Sequence, residues 1–167
     1  MSHWIEKLKF YLRSVNQHGI HSPFVYDLTT KVFYKKQCVK REDWKPCHND
    51  RYFTVKEEQL ISGVAAFLFP EKQKLVTYTF DDQPEGTITP TDILIVTAGS
   101  KPTDIMYEQM KANLDNDGIL IMGNPRRNTL WQKLKQDTDI HLTIDTFSLG
   151  FAFKRQQQRK EDFIIRI

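Results

Sequence analysis

A chain of 167 residues is long enough for one domain with a real hydrophobic core. Hydrophobic residues make up 40% and charged residues 27%, with 11 Phe against 7 Gly, so disorder is not the expectation. A net charge of +3 is too small to demand a nucleic-acid or membrane partner, and no apolar run approaches the roughly 18 residues of a membrane span. The segment "MSHWIEKLKFYL" is charged throughout and lacks the apolar stretch of a signal peptide. Two cysteines make no disulfide scaffold, so a reduced, cytoplasmic protein is expected.

Trp4, Ile5, Leu8, Tyr11, Leu12 and Val15 follow helical spacing, which predicts an amphipathic helix over residues 3–16, ended by Gly19. Ser22 reads as the N-cap of a second helix with Pro23 at its first position and Phe24, Leu28 and Val32 as its apolar stripe. Both helices are expected to pack on the sheet as a unit. Residues 35–53 are polar and aromatic without a clear period, and read as a surface loop. Thr54 to Glu57 is a capping box opening a helix that buries Leu60, Ile61, Val64, Phe67 and Leu68 and stops at Pro70.

"KLVTYTF" (74–80) reads as a strand followed by loop chemistry. "DILIVTA" (92–98) and "GILIMG" (118–123) are apolar at nearly every position, as in strands covered on both faces. A helix over about 102–114 lies between them, with "DNDG" punctuating its end. "RNTLWQKLKQ" predicts a short helix, and "IHLTIDTF", "GFAFKR" and "DFIIRI" three closing strands. The last strand either sits inside the sheet or pairs with a partner. This order predicts right-handed crossovers and a parallel sheet with antiparallel strands at its C-terminal end.

Two stretches carry a family resemblance. "HGIHSPFVYDLTTKVFY" (18–34) resembles the N-terminal helical segment of class I S-adenosylmethionine-dependent methyltransferases of Bacteroidetes-type bacteria. "LTIDTFSLGFAFKRQQQRKEDFIIRI" (142–167) is similar to their C-terminal strands, and residues 91–136 fit the intervening strand, helix, strand, helix order. The resemblance implies a reduced Rossmann-like three-layer α/β sandwich in one domain. Residues 1–34 would form its N-terminal helical segment and 54–167 its α/β core.

The middle of the chain departs from that pattern. Methyltransferases of this type hold the cofactor on a Gly-rich turn after the first strand and on an acid after the second. Here Thr77 stands where the first acid is expected and Thr79 where the first glycine is. About eleven residues separate Phe80 from the next covered strand, whereas one crossover alone needs a dozen or so. The cofactor-binding half reads as deleted. The family's acids after the two later strands, which bind a metal or act as base, are replaced by Ala98-Gly99-Ser100-Lys101 and Gly123-Asn124-Pro125-Arg126. An Mg²⁺ site needs at least one or two carboxylates, so no catalytic, cofactor-binding or metal residues are assigned.

What this edge retains is polar and basic: Ser100, Lys101, Asn124, Arg126 and Arg127 are candidates for an anion or ligand site at the C-terminal ends of the strands. His18 and His21 flank a helix corner without a third ligand and read as structural; Cys38, Cys47 and His48 lack metal-ligand spacing. Basic pairs at Lys35-Lys36, Lys40-Arg41, Lys154-Arg155 and Arg159-Lys160, the first two interleaved with Tyr34, Trp44, Tyr52 and Phe53, suit RNA, but interspersed acids favour solvated faces. Three functional readings follow. The first is a non-catalytic methyltransferase-like protein with a binding or interaction role and no cofactor. The second is an active S-adenosylmethionine-dependent methyltransferase with a rewired cofactor site, and the third a small-anion or nucleic-acid binding module. No membrane partner is expected. A homodimer through the uncovered edge of the 74–80 strand or the N-terminal helices is a further expectation.

Overall fold

A computed structural model describes residues 3–35, 44, 46, 52–80, 90–100 and 102–167, without the side chains of His3 and Gln17. Among the described residues, five α-helices and six strands follow one another along the chain. They are α1 (His3–Arg13), α2 (Pro23–Leu28), α3 (Val55–Leu68), β1 (Thr77–Phe80), β2 (Thr91–Val96), α4 (Asp104–Asn113), β3 (Leu114–Gly123), α5 (Thr129–Gln136), β4 (Leu142–Asp145), β5 (Leu149–Phe153) and β6 (Glu161–Ile164). The strands form one mixed, mostly parallel sheet in the order β1-β2-β3-β5-β4-β6. Both antiparallel pairings are made by β5, which is slotted between β3 and β4. The result is a Rossmann-like α/β fold, and its mostly parallel sheet is the one expected from the order of strands and helices along the chain.

Strands β2, β3 and β5 divide their side chains between two cores. Ile93 and Ile95 of β2 face one way, with Ile119, Ile121, Phe151 and Phe153, against α2 and α3. Leu94 and Val96 face the other way, with Leu120 and Met122, against α4 and α5. Continuous apolar runs were required in β2 and β3 because both faces are covered. Leu28 is fully buried, and Phe24 packs at the margin of the same core with its ring edge-on to Phe153.

The local stop and start signals act as expected. Ser22 Oγ accepts from the Val25 N–H, and Thr54 and Glu57 complete their capping box. Beyond Leu28 the α2 backbone continues as one π-helical turn over Thr29–Phe33, closed by the Tyr34 N–H on the Thr29 carbonyl.

Four expectations need correction. The first helix stops at Arg13; Ser14 Oγ bonds back to the Tyr11 carbonyl and Val15 leaves to bridge Ile165 beside β6. Its apolar stripe also faces outward, with Trp4, Ile5, Leu8, Tyr11 and Leu12 all exposed. Strand β1 begins at Thr77, because the Val76 N–H is taken by the buried Asp92 carboxylate. "DNDG" is a bulge within β3: Leu114 pairs with Thr91 but Ile119 with Ile93, so the residues between loop outward. Finally, the aromatic residues of 35–53 that are described are not surface residues. Phe53 is buried, and Trp44 and Tyr52 pack against the core. Trp44 also donates through Nε1 to Thr77 Oγ1 on the terminal strand β1 at 2.9 Å. Residues 36–43, 45 and 47–51, including Cys38, Cys47, His48 and the basic residues Lys36, Lys40, Arg41, Lys45 and Arg51, lie outside the described residues. No helix among the described residues is long and apolar enough to cross a membrane.

Candidate functional site: the C-terminal ends of the strands

The turn after β2 bends inward. Ser100 is 1% exposed, with Oγ donating to the Phe80 carbonyl at 2.9 Å and lying 2.6 Å from Thr97 Oγ1. It therefore ties the end of β1 to the end of β2. After β3, Asn124 adopts a left-handed conformation at φ 49°, one that asparagine tolerates better than most residues. Its N–H donates to the Ser148 carbonyl at 2.7 Å, joining this turn to the β4–β5 hairpin. Pro125–Arg127 then makes one 3₁₀ turn, and Asn128 caps α5.

Arg126 is turned back into the protein. Its guanidinium pairs with Asp145 at the end of β4 at 3.1 Å, donates to the Glu6 carbonyl at 3.3 Å, and stacks over the rings of Phe10 and Phe147. Arg127 is exposed, and Lys101 lies outside the described residues. Ser100, Asn124 and Arg126 thus share one edge of the sheet, but Ser100 spends its hydroxyl and Arg126 its two terminal nitrogens on the protein itself, while Arg126 Nε is buried without a hydrogen-bond partner.

Three residues that sequence reasoning passed over complete this edge. Asn128 accepts the Leu130 N–H at 3.0 Å and donates to the Ser100 carbonyl at 2.9 Å, linking the two strand-end turns. Asp145 neutralises Arg126 and also accepts the Phe147 N–H at 2.8 Å. Phe53 stands against Gly123, where a Cβ would lie 3.3 Å from its ring and 3.2 Å from the Ala98 nitrogen. With a larger residue there, the Phe53 ring or the strand end would have to shift by a few tenths of an ångström.

What space remains is divided. A cavity of about 170 Å³ lies between Tyr52, Phe53, Ala98, Gly123, Asn124 and Phe147. Beside it a groove of about 540 Å³ runs between the π-helical turn and the start of α3, with Val32, Phe33, Leu60 and Ile167 as apolar walls and Lys35 and Lys56 as cations. Glu57 and Ser148 line both spaces. The Glu57 carboxylate is already held by the Thr54 N–H at 2.8 Å and hydroxyl at 2.9 Å.

No family model matches the chain, and no curated protein or solved structure is similar to it at a significant level. The site must be read from its own chemistry.

The perturbed titrations fall at a different place, where α4 meets the end of α5. The Tyr107 hydroxyl donates to Asp137, and Lys111 reaches Asp137 and Asp139 at 3.0 Å each. Burial, then the bond to Asp137, pushes the Tyr107 hydroxyl well above its ordinary value. Burial works to raise Asp137 as well, but the Tyr107 hydroxyl, the Asp139 N–H and the Lys111 ammonium together hold its carboxyl below the usual range. This cluster clamps two helices together. Among the described residues no group of three or more His, Cys, Asp or Glu side chains is placed to hold a metal ion.

Proposed function

We propose that this is a methyltransferase-like protein whose role is binding rather than catalysis. Its two ends resemble the family. The strand order supports the same reading, with one reversed strand slotted between β3 and β4 as in the C-terminal half of a methyltransferase sheet. Fold alone does not assign chemistry. The reading is carried by what happened to the strand ends, where the side chains are consumed by internal contacts. Ser100 serves Phe80, Arg126 serves Asp145, and Phe53 packs onto Gly123. The cavity of about 170 Å³ beside Phe53 is below the roughly 300–1,000 Å³ of ordinary ligand pockets. The neighbouring groove of about 540 Å³ is within that range and is where a binding role would be exercised. Nucleic acid is not part of this reading, because Trp44, Tyr52 and Phe53 are packed against the core and not offered for base stacking. A reduced, cytoplasmic setting belongs to it, given two cysteines in 167 residues.

Calorimetric titration of the full chain with S-adenosylmethionine tests the proposal. No heat of binding is expected up to millimolar cofactor. A micromolar dissociation constant, or cofactor retained through purification, restores the active-enzyme reading.

A further inference from the structure

Helix α1 meets the domain with the wrong face, if burial of apolar surface were its only purpose. At 3.6 residues per turn, Trp4, Ile5, Leu8, Tyr11 and Leu12 fall on one side and Phe10 on the opposite side. Phe10 is the residue that is buried, edge-on to Phe147 and under the Arg126 guanidinium. The apolar side is left in solvent: Trp4 is 69% exposed, Leu12 78%, Leu8 45%, Tyr11 42% and Ile5 39%. A contiguous stripe of this kind marks an interaction surface.

The borders of the stripe say what covers it. Lys7 and Lys9 fall on its two flanks, and the Arg166 guanidinium sits 5.9 Å from the Tyr11 ring at one edge. Glu6, the one acid of the helix, falls on the inward side with Phe10, where its carbonyl accepts from Arg126. An apolar stripe bordered by cations, with a tryptophan on it, is the pattern of a helix that lies in the headgroup layer of a membrane. A second copy of the chain fits less well. A twofold contact would set the lysine borders of two stripes against each other. One face of an 11-residue helix, about 16 Å long, also falls well short of the roughly 800 Å² that each partner gives to a standard interface.

We propose that α1 is a membrane-surface helix, docking the protein on anionic lipid through Trp4, Ile5, Leu8, Tyr11 and Leu12 with Lys7 on phosphate. Docking of this kind requires no spanning helix, and it does not depend on the methyltransferase-like reading of the strand ends.

The test is co-sedimentation of the full chain with phosphatidylcholine vesicles, with and without phosphatidylglycerol, alongside tryptophan emission. Trp131 is buried and Trp44 half-buried, so a blue shift on binding reports chiefly Trp4. Binding is expected with phosphatidylglycerol, weakened by salt, and reduced about tenfold or more in Lys7→Glu and in Leu8→Glu/Leu12→Glu. These positions are exposed, so both variants should melt as the parent does. Absence of binding to phosphatidylglycerol vesicles at low salt overturns the proposal. So does a dimer at micromolar concentration that Leu8→Glu/Leu12→Glu dissolves, since the stripe would then belong to a second copy.

Discussion

Asn128 and Ser100, 28 residues apart, are joined by a hydrogen bond of 2.9 Å from the Asn128 amide to the Ser100 carbonyl. Both residues are buried, and the same asparagine caps α5 through its other side-chain atom. One residue therefore fixes the turn after β2, the turn after β3 and the start of a helix. Asn128→Ala removes the cap and leaves a buried carbonyl without its donor, for an expected loss of about 2–3 kcal/mol. Asn128→Ser keeps a capping oxygen and loses the amide donor, so it should fall between the two in urea denaturation. Equal stabilities for all three chains would show that the bond carries no weight.

The clamp between α4 and α5 gives stability a defined pH response. Asp137 is held below its ordinary value of 3.8 in the folded protein, so its contribution is complete above that value. It is lost as pH falls through the lower folded value. Tyr107 and Lys111 are both raised, so their contributions are complete below about pH 10 and are lost as pH rises beyond it. Melting temperature against pH should show a plateau with losses at both ends. Asp137→Asn should lower the plateau and flatten the acid limb. An acid limb unchanged in that variant would assign it to other carboxylates.

How much of this was legible in the residues depends on the range of the interaction. The Thr54–Glu57 box and the Ser22-Pro23 start are satisfied within one turn, and both formed where expected. The doubly covered strands were legible because β2 and β3 bury both faces. The orientation of α1 was not. Helical spacing identifies a stripe but not the side that meets the domain, and here Phe10, off the stripe, is taken by Phe147 and Arg126 more than 100 residues away. Ser100 and Arg126 looked available for a ligand for a similar reason. Their partners, the Phe80 carbonyl and the Asp145 carboxylate, come from other strands and leave no local signal.

Arg126 holds α1 to the domain. Its guanidinium is stacked on Phe10, bonded to the Glu6 carbonyl and paired with an Asp145 side chain that is only 9% exposed. Arg126→Ala leaves that carboxylate buried without its cation, an expected cost of about 3 kcal/mol. The helix should also detach more often, so trypsin should cut faster after Lys7, Lys9 and Arg13. Arg126→Lys keeps the charge but loses the flat stacking surface, and should sit between. Unchanged melting and unchanged cleavage in Arg126→Ala would remove this residue as the tie.

Phe53 decides whether the strand ends are closed by packing. It is 6% exposed, belongs to the core that includes Ile93 and Ile121, and presses its ring to the glycine at the end of β3. Cutting it to alanine merges its volume with the cavity of about 170 Å³ beside Ala98 and Asn124. The expected cost of Phe53→Ala is about 3 kcal/mol, with Phe53→Leu below about 1.5 kcal/mol because most of the volume is kept. Gly123→Ala tests the same contact from the other side, since the added methyl group meets the ring at 3.3 Å and the Ala98 nitrogen at 3.2 Å. It should destabilise the parent, and less so a chain already carrying Phe53→Ala, because the ring it crowds is gone. Urea denaturation of the two single variants and the double variant measures this coupling. Strict additivity would mean that Phe53 and Gly123 do not pack on each other in solution, and the closed strand end would be abandoned.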